Sequence, residues 1–142
     1  MLWTCKAIIK ELIEAYERAI ELDPASSHGA YNLGKLYNNL NKATEAKENL
    51  LKAVEMDPVH ADAVNELGIA NLHLNKLEEA EESFKKAIQL DCNYTNAYYN
   101  LAKVYKSLNR PKEVIKLYRK AISLNRNDKH VPFQHCESAN EN

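Results

Sequence analysis

The sequence repeats at intervals of 34 residues. Leu33, Leu67 and Leu101 share one column, and Gly34, Gly68 and Ala102 the next. Asn41, Asn75 and Asn109 share a third, each between a leucine and a lysine or arginine. Ala19, Ala53, Ala87 and Ala121 fill a fourth, one place before Ile20, Val54, Ile88 and Ile122, and Pro24 and Pro58 keep the same interval. A fixed period of this size marks stacked supersecondary units, each too small to bury its own apolar face and each leaning on the next. It sets the boundaries: an N-terminal segment over 1–26, copies over 27–60, 61–94 and 95–128, and a tail over 129–142 where the period is lost.

Each copy reads as two helices. The first, such as residues 28–40, has Ala30, Leu33, Gly34 and Tyr37 at helical spacing on one face. It stops at Asn41, a residue that tolerates the left-handed backbone of a helix C-terminus, and Asn75 and Asn109 repeat that stop. The second helix carries Ala46, Leu50, Ala53 and Val54, then Ala80, Phe84, Ala87 and Ile88, then Val114, Tyr118, Ala121 and Ile122. Small alanines let neighbouring helices approach, and the large residue between them fills the gap. Glu48–Lys52, Glu81–Lys85 and Glu82–Lys86 are acid-before-base pairs four apart on the outer faces. Pro58 cannot extend the helix before it.

These columns resemble the tetratricopeptide repeat, whose motif places Trp, Leu-Gly, Tyr, Ala, Phe and Pro at fixed positions over 34 residues. Ala30, Leu33, Gly34, Tyr37, Ala46, Leu50 and Pro58 take those places in one copy. Val64, Leu67, Gly68, Asn71, Ala80, Phe84 and Cys92 take them in the next, and Tyr98, Leu101, Ala102, Tyr105, Val114, Tyr118 and Arg126 in the third. Asn71 sets a polar group where an aromatic is usual, and Arg126 removes a proline. Residues 10–24 read as the second half of an earlier copy, with no break between Trp3 and Leu22, so one continuous helix is expected as a lid on the first full copy. The resemblance implies an all-α solenoid of antiparallel helix pairs.

The chain is 45% hydrophobic and 27% charged, an ordinary composition for a packed domain. Its net charge of −1 gives no bulk attraction to nucleic acid or to an anionic membrane. The charge is uneven: residues 61–94 carry three basic groups against seven acidic, whereas 95–128 carry eight against two. Cys5, Cys92 and Cys136 make no disulfide framework, and a reducing, cytoplasmic setting (the nucleus included) is expected. The first residues lack a secretory leader's apolar core, no run approaches the roughly 18–20 apolar residues of a membrane span, and the Asn93-Tyr94-Thr95 acceptor pattern is read as chance.

Little here points to catalysis. Three glycines leave no phosphate-cradling loop, and no nucleophile stands at a suggestive distance from a base. His130, His135 and Cys136 lack a fourth ligand at a zinc spacing, and Cys92 stands in for the turn proline. No enzyme activity, cofactor or metal is expected.

The resemblance implies a concave wall lined by the first helix of each copy. The positions off the core stripe include His28, Tyr31, Asn32, Lys35 and Asn38, then Asn65, Glu66, Ile69 and His73, then Asn96, Tyr99, Asn100 and Lys103. Asparagine amides both donate and accept, so such a wall suits an extended peptide backbone. It is similar to the asparagine-lined groove of the repeat region of O-linked N-acetylglucosamine transferases, with Glu66 interrupting the column of Asn32 and Asn100. Tyr31 and Tyr99 are the expected aromatic anchors. The places where co-chaperone repeats clamp a C-terminal carboxylate hold Tyr31, Lys35, Glu66, Asn96 and Asn100, and Glu66 would repel such a ligand.

The expected function is a non-catalytic interaction module gripping an extended segment or helix of another protein, with no membrane partner. The alternatives are a repeat array belonging to a larger protein, such as a glycosyltransferase, and a nucleic-acid contact through the basic third copy. The last helix presents Val114, Tyr118 and Ile122 with nothing obvious to cover them. Val131 and Phe133 folding back, a partner, or a longer array are the ways to bury them, and self-association through this helix is a further possibility.

Overall fold

The computed structural model describes residues 3–125, with side chains from Cys5 onward. Within them the chain forms seven α-helices and no strand. They are α1 (Trp3–Leu22), α2 (Ser27–Asn39), α3 (Ala43–Met56), α4 (Ala61–His73), α5 (Leu77–Leu90), α6 (Thr95–Ser107) and α7 (Pro111–Asn125). The continuous first helix is as expected. The places assigned to Arg126, Val131, Phe133, His130, His135 and Cys136 lie outside the described residues.

Local rules set the corners. After α2, α4 and α6, residues Asn41, Asn75 and Asn109 adopt φ of 61°, 60° and 60°. Around each, two backbone bonds close the same double turn. Lys42 N–H donates to the Tyr37 carbonyl at 2.8 Å and Asn41 N–H to that of Asn38 at 3.1 Å. Lys76 and Arg110 repeat the longer link, to Asn71 at 2.8 Å and Tyr105 at 2.9 Å. This Schellman arrangement satisfies carbonyls that the helix end leaves open. The opposite corners turn on Asp57 and Asp91, whose carboxylates accept from Val59 N–H at 3.4 Å and Asn93 N–H at 3.1 Å. Cys92 sits buried in the second of these turns, its carbonyl held by the Tyr98 hydroxyl at 2.9 Å.

The two helices of a copy meet where one has no side chain. A Cβ on Gly68 would lie 2.5 Å from Cε1 of Phe84, and one on Gly34 would lie 2.5 Å from Cγ of Leu50. Around these contacts Ala46, Ala53, Ala80 and Ala87 are fully buried. The third copy has the buried Ala102 in the glycine column, and Tyr118, in the column of Phe84, is exposed. Its ring lies against Tyr99, with centroids 5.8 Å apart.

First helices approach each other directly, α2 to α4 and α4 to α6, whereas α3, α5 and α7 make no such approach to one another. A tight inner layer beside a splayed outer layer is a curved array. Only long side chains span the outer seam: Lys47 on α3 reaches Glu79 on α5 at 2.9 Å. Of the expected acid–base pairs, Glu81–Lys85 forms at 3.8 Å.

At the C-terminal end the stripe is open. Phe84 and Ile88 are 0% and 2% exposed, while Tyr118 and Ile122 in the same columns are 37% and 47% exposed, because no later helix follows α7 among the described residues. Ile115 is exposed beside them. Val114, expected to be uncovered too, is half-buried, since it packs against the core formed with its own partner helix.

Two substitutions test this account by chemical denaturation. Gly68→Ala forces Phe84 aside and lowers stability by about 1–3 kcal/mol. Asn75→Ala costs about 1 kcal/mol and Asn75→Val more, whereas Asn75→Gly is close to neutral, since the position needs a left-handed backbone.

Candidate inner-wall binding site

The inner wall is built from α2, α4 and α6, and the structure sorts the side chains expected on it. Lys35, Asn96 and Lys103 are exposed. Tyr31, Asn32, Glu66, Ile69, Tyr99 and Asn100 are half-buried. Asn65 is not on the surface: it is 2% exposed. As the middle helix, α4 is flanked on both sides, so its free arc is narrower than that of a terminal helix and Asn65 falls inside it. Asn38, also read as a surface position, is 4% exposed for the same reason from the side of α2.

Both buried amides tie helices together. Asn38 Nδ2 donates to the Glu66 carbonyl and to Glu66 Oε2, each at 2.9 Å. Asn65 Nδ2 donates to the Tyr94 hydroxyl at 3.3 Å, and Asn65 Oδ1 accepts from Asn100 Nδ2 at 3.1 Å. Asparagines that looked like ligand contacts thus stitch α2 to α4 and α4 to α6. Burial without such partners would be costly.

The aromatic groups gather at the two ends. Tyr31 meets the His60 ring edge-on at 4.7 Å, with His28 6.3 Å from His60 and the Lys35 ammonium 6.0 Å from the Tyr31 ring. At the other end Tyr99 faces Tyr118, and Asn125 Nδ2 donates to the Tyr99 hydroxyl at 3.4 Å. His60 and Tyr94 were missed as wall residues. They stand immediately before α4 and α6, 34 residues apart and in the column of the helix-capping Ser26. That shared column was the available signal.

Acid lies between the aromatic ends. Burial raises the Glu66 carboxyl above its ordinary range, against the pull of the Asn38 hydrogen bond and Lys35. Burial also raises the Tyr31 phenol, helped by Asp62 and Glu66, and that of Tyr94, helped by Asp62. Among the described residues no cluster of three or more metal-ligating side chains occurs. No helix among them is long and apolar enough to cross a membrane.

Sequence profiles of the tetratricopeptide repeat match residues 31–92 and 95–128. The chain belongs to the tetratricopeptide repeat family. Its helix pairs, αL asparagine corners and glycine column are that family's framework in this sequence. Solved structures of MamA share the fold. One is 30% identical, with a TM-score of 0.78 over 97% of this chain and 80% of that one. Another is 30% identical, with a TM-score of 0.77 over 97% and 75%. MamA from Desulfovibrio magneticus RS-1, 20% identical, gives a TM-score of 0.78 over 88% and 71%, a likeness in fold alone. A comparison with curated proteins gives no match.

Within this tetratricopeptide array, Glu66 makes the inner wall sensitive to pH. Its folded carboxyl holds a proton more tightly than the unfolded one, so stability falls as pH rises from the ordinary carboxylate range through the raised one, and the loss is complete above it. Glu66→Gln keeps an acceptor for Asn38 and removes that charge. Thermal melts should show the variant more stable than wild type at neutral pH, with the difference shrinking as pH falls toward 4.

Proposed function

We propose that the chain is a non-catalytic interaction scaffold that takes an extended segment or helix of another protein against the wall of α2, α4 and α6. The observation that carries this reading is the pair of aromatic groups at opposite ends of the wall, half-buried Tyr31 with His60 and half-buried Tyr99 against the exposed Tyr118. Such side chains offer large, rigid, amphipathic surface, the kind that dominates recognition energies. Between them Asn38 and Asn65 already tie α2 to α4 and α4 to α6, so the wall is held in shape before a ligand arrives, and little ordering cost falls on binding. Lys35 and Lys103 at the edges suit a ligand with scattered acids, while Glu66 disfavours a carboxylate at the centre.

Selection from a displayed peptide library tests it. Selected peptides should bind wild type and lose at least about tenfold in affinity on a Tyr31→Ala, Tyr99→Ala double change. Binding unaffected by that change places the site elsewhere.

A second reading rests on the open columns of α7. Ile115, Tyr118 and Ile122 form an exposed apolar stripe where a further helix of the array would sit. A second copy supplying that helix gives a head-to-tail contact. Sedimentation velocity at rising concentration should show self-association that Ile122→Glu abolishes; a concentration-independent monomer ends this reading.

A further inference from the structure

On the outer layer a recess of about 610 Å3 lies between α5 and α7, with α6 beneath. Tyr98, Leu101, Tyr105 and Leu117 line its apolar floor. Five cations border it, Lys85, Arg110, Lys116, Arg119 and Lys120, against Glu113 as the acid in the lining.

The cations divide into two sets. Lys85 lies 3.8 Å from Glu81, and Arg110 lies 3.9 Å from Glu81 and 3.7 Å from Glu113, so this end is neutralised. Lys116, Arg119 and Lys120 have no acidic partner among the described residues. Their spacing of three and four sets them on one face of α7, beside the recess.

The preceding outer seam differs. Between α3 and α5, the Lys47–Glu79 pair spans the opening at 2.9 Å. The residues 34 later in those columns are Glu81 and Glu113, which repel each other and meet only through Arg110. The close pair that spans one seam is therefore replaced in the next by two longer contacts through Arg110, at the end of the seam away from Lys116, Arg119 and Lys120.

We propose that this outer recess binds an acidic amphipathic helix of another protein, laid between α5 and α7. Two helices bounding a trough floored by a third make the shape that accepts a helix by its apolar face. Lys116 and Lys120 are about 6 Å apart along the axis, the distance between acids one turn apart on a helix. The ligand's apolar stripe covers Leu117 and the floor, and its carboxylates meet Lys116, Arg119 and Lys120. A nucleic acid suits the recess less well, since its phosphates would run on to Glu81 and Glu113. The proposal stands apart from the inner wall, because none of these residues belongs to it.

The test is fluorescence anisotropy with a labelled 18-residue peptide carrying leucine at helical spacing and glutamate elsewhere. Its controls are a scrambled peptide of identical composition and a single-stranded DNA 12-mer. The expected result is binding to wild type that falls at least about tenfold with the scrambled peptide and with Lys116→Glu, Lys120→Glu, and that weakens with added salt. Tyr31→Ala, Tyr99→Ala should leave it unchanged. Circular dichroism melts confirm that the variants fold. No binding, equal binding of the scrambled peptide, loss with the tyrosine variant, retention in the lysine variant, or tighter binding of the DNA each overturns the proposal.

Discussion

Each helix pair is fastened where a first helix offers no side chain and its partner offers a large one. Phe84 lies where Gly68 leaves room, and Leu50 where Gly34 does. The flanking alanines exist to permit that distance. The third copy has Ala102 in that position, and its ring residue, Tyr118, is exposed against Tyr99 at one aromatic end of the inner wall.

The framework was legible in the sequence because it follows local rules. Asn41, Asn75 and Asn109 announce left-handed corners whatever surrounds them, and the column of small and large residues is a statement about two neighbouring helices. The wall was legible only in part. Asn38 and Asn65 look like surface residues on their own helices, and only the flanking helices make them buried ties. Their role depends on how closely first helices approach, a distance the pattern does not encode. Val114 was misread for a related reason: it faces α6, its own partner, and needs no later helix to cover it. His60 and Tyr94 escaped notice because they stand outside the helical stripes that periodicity reveals.

Inner and outer surfaces emerge with different chemistry from one repeated plan. The inner wall has buried, hydrogen-bonded amides under half-buried rings, a rigid surface with an acid near its middle. The outer layer has long charged side chains over apolar troughs. The second copy's excess of acid and the third copy's excess of base fall on adjoining helices, so a modest net charge conceals a steep local gradient across α5 and α7. Such a gradient orients an approaching charged partner even where its pairwise energies are small.

The unequal spacing of the two layers has a mechanical consequence. First helices approach one another directly and are tied by buried amide hydrogen bonds, so the inner spacing is held from both sides of α4. Second helices pack on the first helix of the next copy but not on one another, and the seam between them is crossed by surface pairs such as Lys47 and Glu79, which yield at little cost. The array therefore bends as a fan does, pivoting along its inner edge while the outer blades spread or close.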